Sequence, residues 1–504
     1  MNSMIPLVNQ AFKHLDNVAI IDEHKTHTYA QLLASSERIA QFLLQKNNGQ
    51  DLKEACIAFM AIPNFYYAAI QWGIWRAGGI AVPLGISHPI PEIEYILEDT
   101  QAKTILTTHD YQDFLEPLNA HDLLVENIEQ LSSVDEAFAL PEVDATRRAL
   151  IIYTSGTTSR PKGVVTTHNI IKAQITTLTE AWGWTTDDYI LHTLPLHHVH
   201  GIINILYSAL WSGAKCEMMP KFDAKEVWEK FAQGDLSLFM AVPTVYNRLI
   251  GYWEGLRAEE QQRLSAGVKK MRLMVSGSAA LPVSVLLKWK EISGHTLLER
   301  YGMTEIGMAV SNPLLGERKP GFIGMPLPNV EMILVGENGE LVTGPDDMGE
   351  IRVKSPSVFL EYWNKPEVTR DSFVDGWFCT GDIAMRDRDG YYRILGRNSV
   401  DIIKSGGYKI SALEIEEVFR KHPNIKEVAV VGIPNEKWGE MVATAIVTKP
   451  RNHFISLESL RAWASEYLAK YKLPNEVMML NDLPRNAMGK VTKPALVKLF
   501  EADQ

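Results

Sequence analysis

Between Tyr153 and Gly163 the chain reads Tyr-Thr-Ser-Gly-Thr-Thr-Ser-Arg-Pro-Lys-Gly, which puts hydroxyls, glycines and a cation into one short loop. Backbone N–H groups, the hydroxyls of Thr154, Ser155, Thr157 and Thr158, the pliant Gly156 and the Lys162 ammonium together suit a polyphosphate. The preceding run Ala149-Leu150-Ile151-Ile152-Tyr153 is apolar and reads as a buried strand. This is not a G-x-x-x-x-G-K-[ST] loop, because Pro161 stands where the second glycine is required and Gly163 follows the lysine.

Four further segments carry reactive residue types. Tyr301-Gly302-Met303-Thr304-Glu305 offers an aromatic face for a base, a hydroxyl for a phosphate and a carboxylate for Mg²⁺, although a plain strand-end turn would read the same. Thr380-Gly381-Asp382 sets a carboxylate on a turn, suited to a ribose diol but common in any protein. Pro484-Arg485-Asn486-Ala487-Met488-Gly489-Lys490 ends a glycine-containing loop in a lysine. That cation could neutralise charge as a carboxylate approaches a phosphate, or simply be solvated. Leu196-His197-His198-Val199-His200-Gly201 crowds histidines after Pro195 without the further ligands a metal site needs, so a pocket-lining histidine competes with ordinary packing.

These segments need a scaffold. At 504 residues the chain is too long for one core. Strand-like runs alternate with amphipathic helical patterns through its first two-thirds, which predicts α/β layering. Arg272–Ser276 is one such strand. From about 323 to 396 the pattern shifts to short strands with hairpin turns at Glu337-Asn338-Gly339 and Arg388-Asp389-Gly390, a small β-rich subdomain. Beyond Arg397, Ser411-Ala412-Leu413-Glu414 matches a capping box opening a helix to about Lys421. Ile425–Ile433 reads as a strand, and Leu457, Leu460, Trp463, Ala464, Tyr467 and Leu468 share one helical face. The expected fold is α/β: a large N-terminal domain (1–397) of α/β layered subdomains plus the β-rich subdomain (about 323–396), then a small α+β domain (398–504).

Composition narrows the function class. The formal charge of −11 disfavours a broad nucleic-acid surface but allows a local basic pocket. Cys56, Cys216 and Cys379 are far apart and lack metal-ligand spacing, which points to a reducing compartment. Asp16, Asp22 and Glu23 come early, unlike an Arg-rich transit peptide, and the apolar window Tyr66–Ile86 is broken by Arg76 and paired glycines. A cytoplasmic enzyme of small molecules, without nucleic acid or a membrane span, is expected as a monomer or homo-oligomer.

Taken in order, the hydroxyl loop, Gly277-Ser278-Ala279-Ala280-Leu281-Pro282, Tyr301–Glu305, Thr380–Asp382, Gly396-Arg397 and Gly489-Lys490 resemble the core motifs of the adenylate-forming superfamily of acyl-CoA synthetases, adenylation domains and beetle luciferases. Within it, Leu194–Gly201, Met240–Arg248, Val275–Pro282, Glu299–Glu305 and Val400–Lys409 are most similar to malonyl-CoA (and methylmalonyl-CoA) synthetases. The resemblance implies ATP, Mg²⁺ and coenzyme A as cofactor and co-substrates. It implies a β,γ-phosphate clamp of Thr154, Ser155, Gly156, Thr157, Thr158 and Lys162, and adenine held between Tyr301 and Gly277, Ser278 and Ala279. Thr304 would meet the α-phosphate, Glu305 the metal, Asp382 and Arg397 the ribose, and Lys490 would serve adenylation. Rotation of a mobile C-terminal domain would then present Gly406, Gly407, Tyr408 and Lys409 to the coenzyme A tunnel, with His198 as gate.

A dicarboxylate needs a partner for its distal charge. The resemblance assigns that clamp to Arg248, with Ser278 and Arg300 assisting, and puts Ile306 and Met308 in the pocket wall. A separate carrier protein as acyl acceptor, or another short or medium carboxylate, stays open. Two departures stand out: Ser159 replaces a usual glycine in the phosphate loop, and Asn398-Ser399-Val400 lengthens the hinge before Asp401.

Overall fold

A computed structural model of the chain describes residues 5–503 except 24, 119–122, 132–136, 155–160, 450–453 and 486–490. Among the described residues a nine-stranded sheet forms one layer. Its central strands Val18–Asp22, Tyr189–His192, Lys215–Met218, Leu238–Ala241, Leu273–Ser276 and Leu298–Met303 run parallel, with antiparallel strands at both edges. Parallel strands covered on both faces carry continuous apolar runs, and Leu238–Ala241 and Leu273–Ser276 are buried throughout.

A second sheet of seven strands holds Cys56–Met60, Ile80–Pro83, Thr104–Thr107, Leu124–Asn127 and Arg148–Thr154 in parallel. Lys162–Thr167 and then Glu361–Tyr362 add antiparallel strands at one edge. Between the sheets lies the helix Phe65–Arg76, opened by Asn64, whose side chain accepts the N–H of Tyr66 and of Tyr67. It is buried on every side, so the most apolar window of the sequence is an interior helix. No helix among the described residues is long and apolar enough to cross a membrane.

The β-rich segment appears as antiparallel strands Glu331–Val335, Leu341–Val342, Met348–Lys354, Phe373–Val374, Trp377–Arg386 and Tyr392–Arg397. Both expected hairpins form, with Gly339 (φ 84°) and Gly390 (φ 89°) in the left-handed region that their turns demand. A five-stranded sheet follows, including Ile402–Ser405, Tyr408–Ser411, Ile425–Asn435 and Gly439–Thr448. Ser411 caps the helix Ala412–Phe419 by accepting the Glu414 N–H at 3.2 Å. The helix Leu457–Ala464 is shorter than its apolar spacing suggests. Leu460, Ala464 and Leu468 are buried, but Tyr467 lies beyond the last turn and is exposed.

At the junction of the two domains, Asp401 accepts the Arg397 N–H through Oδ2 at 3.0 Å and the buried Lys493 ammonium through Oδ1 at 2.6 Å. Lys493 also reaches Glu416 at 2.9 Å. Burial works against the Lys493 charge, but Glu416 and Asp401 hold its pKa above the usual value.

Candidate active site

In open parallel sheets ligands bind beyond the carboxyl ends of the strands, because helix N-termini and loops converge there. The segments singled out by residue type stand at such ends. Leu273–Ser276 runs into Gly277-Ser278-Ala279, Leu298–Met303 into Thr304 and Glu305, and Tyr189–His192 leads toward His197 and His198. Thr154 ends one strand and Lys162 starts its antiparallel partner, so that the two residues face each other in register and bracket the phosphate loop. Ser155, Gly156, Thr157, Thr158 and Ser159 themselves lie outside the described residues, as does Lys490.

The nucleotide groups converge through their own hydrogen bonds. Tyr301 donates its hydroxyl to Asp382 Oδ2 at 2.6 Å, and Arg397 Nε meets Asp382 Oδ1 at 3.2 Å. The antiparallel register that pairs Asp382 with Arg397 makes this possible. Burial raises the Asp382 pKa above the usual carboxylate range, against the pull of Arg397 and Tyr301. Burial also opposes the Arg397 charge, yet Asp382, Tyr301 and Glu305 together hold its pKa above the usual value. Thr304 is half-buried on the turn before Glu305.

Glu305 is 6% exposed, and burial raises its pKa. Its Oε1 accepts the Tyr362 hydroxyl at 2.8 Å, while the Lys162 ammonium sits 4.6 Å above the centre of the Tyr362 ring. Tyr362 escaped the sequence reading, since a lone tyrosine in a two-residue strand gives no periodic signal. The donor set fits a hard cation: Glu305 is a buried carboxylate whose charge Lys162 and Arg397 offset only in part. Among the described residues no group of three His, Cys, Asp or Glu gathers around one point. A magnesium ion there would therefore lean on Glu305 and on phosphate oxygens, as Mg²⁺ commonly does.

The loop after Ser276 is shaped by Arg300. A Cβ on Gly277 would stand 2.5 Å from Arg300 Cζ and Nε, so only glycine lets the chain pass over the guanidinium. Ser278 adopts φ 66° and its hydroxyl meets His200 Nδ1 at 3.1 Å, while Ala279 is exposed. Arg300 is 3% exposed, and its Nε and Nη2 are buried with no hydrogen-bond partner. Burial alone pulls its pKa down to about 9. The adjacent Glu299 cannot neutralise it, because successive strand residues point to opposite faces. Glu299 Oε1 instead accepts the Leu281 N–H at 3.2 Å, and burial pushes its carboxyl up to about 8.

Arg248, on the helix Pro243–Glu254, is exposed and packs its guanidinium 4.4 Å from the centre of the Phe222 ring. The rings of His198 and His197 lie 4.2 Å apart at a tilt of 50°, and His197 stands 5.0 Å from His88. Gly406 (φ 56°) and Gly407 (φ 83°) form a hairpin tip. There Tyr408 stacks on Tyr471, and Lys409 pairs with Glu337 of the β-rich segment at 2.9 Å. Met308 and Ile306 are buried, with Met308 Cε at the place a Gly302 Cβ would need.

The Tyr301–Asp382–Arg397 group, with Thr154 and Lys162 facing each other at a strand end, has the residue types that suit a nucleotide. The chain belongs to the AMP-binding enzyme family, whose model matches residues 7–363, and the AMP-binding enzyme C-terminal domain matches 414–490. It is 45% identical to the mitochondrial malonate–CoA ligase of Homo sapiens, over 98% of this chain and 92% of that protein. Its fold superposes on ATP-bound MatB from Rhodopseudomonas palustris with a TM-score of 0.88 and 32% identity, covering 99% of each chain. The o-succinylbenzoate–CoA synthetase of Bacillus subtilis, solved with ATP and magnesium, gives 0.83 at 27% identity, covering 97% of this chain and 98% of that one.

Proposed function

We propose that the protein is an ATP-dependent acid–CoA ligase that converts malonate to malonyl-CoA through an acyl-adenylate, with methylmalonate as a second acid. One observation carries the choice of acid. Arg300 is buried beneath the Gly277–Ala279 loop with two guanidinium nitrogens unpaired, and a buried cation without a partner is costly. The distal carboxylate of a dicarboxylic acid supplies that partner. We assign Arg300 the central part of the clamp, with Ser278 beside it and Arg248 at the rim. The names of the relatives, malonate–CoA ligases, support the choice of malonate as the acid.

In the first half-reaction a substrate carboxylate oxygen attacks the α-phosphorus of ATP. The bond to the bridging oxygen breaks and pyrophosphate leaves. Thr154, Ser155, Gly156, Thr157, Thr158 and Lys162 would hold the β- and γ-phosphates, Thr304 the α-phosphate, and Asp382 with Arg397 the ribose. Adenine would lie between Tyr301 and the Gly277-Ser278-Ala279 backbone. Magnesium held at Glu305 supplies charge neutralisation on the phosphates. Lys490 would offset the meeting of two anions at the reacting centre.

In the second half-reaction the coenzyme A thiolate attacks the acyl carbonyl and AMP leaves. We assign residues 398–504 to a domain that turns between the two steps. The turn would exchange the Lys490 loop for Gly406, Gly407, Tyr408 and Lys409, with His198 gating the carbonyl. The Lys409–Glu337 pair belongs to one of the two orientations. We infer a cytoplasmic location from the unpaired cysteines. The animal relatives are named mitochondrial, so fractionation of the source cells decides.

The reading is tested by pyrophosphate release with malonate, methylmalonate, succinate, acetate and hexanoate, each with coenzyme A. Malonate should lead, with a thioester as product. Equal turnover of acetate or hexanoate would overturn the dicarboxylate assignment.

A further inference from the structure

Lys162 opens a strand of one sheet and Glu305 sits on the turn after Leu298–Met303 of another, yet one side chain touches both. Tyr362 belongs to the edge strand Glu361–Tyr362, which pairs with Lys162–Thr167 so that Tyr362 faces Val164. Trp363 donates its N–H to the Gly163 carbonyl at 2.8 Å, and Leu360 donates to Val165 at 2.9 Å. The same segment grips the other side of the site, where Phe359 N–H reaches the Glu305 carbonyl at 2.7 Å. The ring of Tyr362 is 5% exposed and packs against Phe359, and its backbone N–H is taken by Thr369 Oγ1 at 2.9 Å. The side chain therefore has little freedom. Its two functional ends point to different charges: the phenol to Glu305 Oε1, the ring face to the Lys162 ammonium.

We propose that Tyr362 is a positioning residue that sets the metal-binding carboxylate and the phosphate-binding lysine at a fixed spacing before ATP arrives. The phenol O–H donates to one oxygen of Glu305, which fixes the carboxylate plane and leaves Oε2 for a cation. The ring face holds the Lys162 ammonium by cation–π attraction, away from Glu305, so that the two charges do not collapse into a salt bridge that would occupy both. Direct pairing of Lys162 with Glu305 would cancel the phosphate cation and the metal carboxylate together. The aromatic spacer keeps both available. The proposal rests on the reading of Glu305 as the metal's carboxylate and Lys162 as a phosphate cation.

The two ends of the ring can be separated by calorimetric titration of the full-length protein with ATP, once with Mg²⁺ and once with a chelator. Tyr362→Phe keeps the ring and loses the phenol. Its ATP affinity should fall about tenfold with Mg²⁺ and stay within about twofold of wild type without it. Tyr362→Leu loses the ring as well, and its metal-free ATP affinity should fall several-fold through Lys162. Wild-type MgATP affinity in Tyr362→Phe would overturn the proposal, whatever Tyr362→Leu does to folding. Glu305→Gln distinguishes the two levels of failure. If Mg²⁺ still strengthens ATP binding in Glu305→Gln as in wild type, the reading of Glu305 falls and the proposal with it. If that variant loses the effect while Tyr362→Phe keeps it, only the positioning role falls.

Discussion

The two halves of the candidate site handle buried charge in opposite ways. On the nucleotide side, Asp382 is shared by Tyr301 and Arg397, and Glu305 by Tyr362, so each buried carboxylate already has an internal donor. On the acid side, Arg300 has unpaired nitrogens and Glu299 an unpaired oxygen, each beyond reach of the other. On the proposed function, the contrast follows from what each half would bind. A nucleotide is recognised by many weak contacts, and these need groups already held in place. A small dicarboxylate offers one strong handle, its second charge, and a site gains most selectivity from it by leaving that partner missing in the free protein.

The largest expected effect removes the missing-partner side. Arg300→Met should lower kcat/KM for malonate about a thousandfold, ~4 kcal/mol, while the free protein melts no lower than wild type, because an uncompensated buried cation is gone. A fall in melting temperature with malonate use retained would reverse the assignment. Next, Asp382→Ala would make the paired half resemble the unpaired one, stranding Tyr301 and Arg397. Weaker ATP use by about 2–3 kcal/mol, alongside a lower melting temperature, is expected from steady-state kinetics and calorimetry.

Glu299→Gln should act through pH. Below about pH 4.5 Glu299 is protonated both folded and unfolded; between there and about 8 the unfolded chain ionises first, so wild-type stability declines as pH rises through that window. The glutamine variant keeps an acceptor for the Leu281 N–H and removes the decline. At pH 8 it should be the more stable protein by about 1–2 kcal/mol in urea melts, with no gain at pH 4.5. The smallest effect belongs to Arg248→Ala. An exposed arginine packed on Phe222 should cost malonate kcat/KM only about fivefold, ~1 kcal/mol, with acetate unchanged.

Much of the nucleotide half was legible in the sequence because its residues announce themselves locally. The strand before Gly277 and the Ser411 cap depend on neighbours within a few positions, and both are found; Thr380-Gly381-Asp382, expected as a turn, lies instead inside the strand Trp377–Arg386, where only Gly381 (φ 71°) enters the left-handed region. What holds the carboxylates was not legible. The Asp382–Arg397 pair depends on strand register, and the Tyr362–Glu305 bond joins residues far apart in the chain. For the acid half the sequence favours Arg248, and the burial of Arg300 is the feature it does not show. Arginines are usually exposed, so Arg248 and Arg300 look alike in sequence, and only burial separates them: Arg300 is 3% exposed while Arg248 lies at the surface. Gly277 was read as backbone room for adenine, and the structure adds Arg300 packed directly against it.

The most direct test changes ligand and protein together. Malonate and its monoamide differ only in whether the second carboxyl group is charged, so their kcat/KM ratio, measured by pyrophosphate release in wild type and in Arg300→Met, reports the Arg300 contact as a coupling energy. The expected result is a preference for malonate of about a hundredfold or more in wild type that collapses to near unity in the variant. An equal preference in both proteins would mean that Arg300 does not hold the second carboxylate.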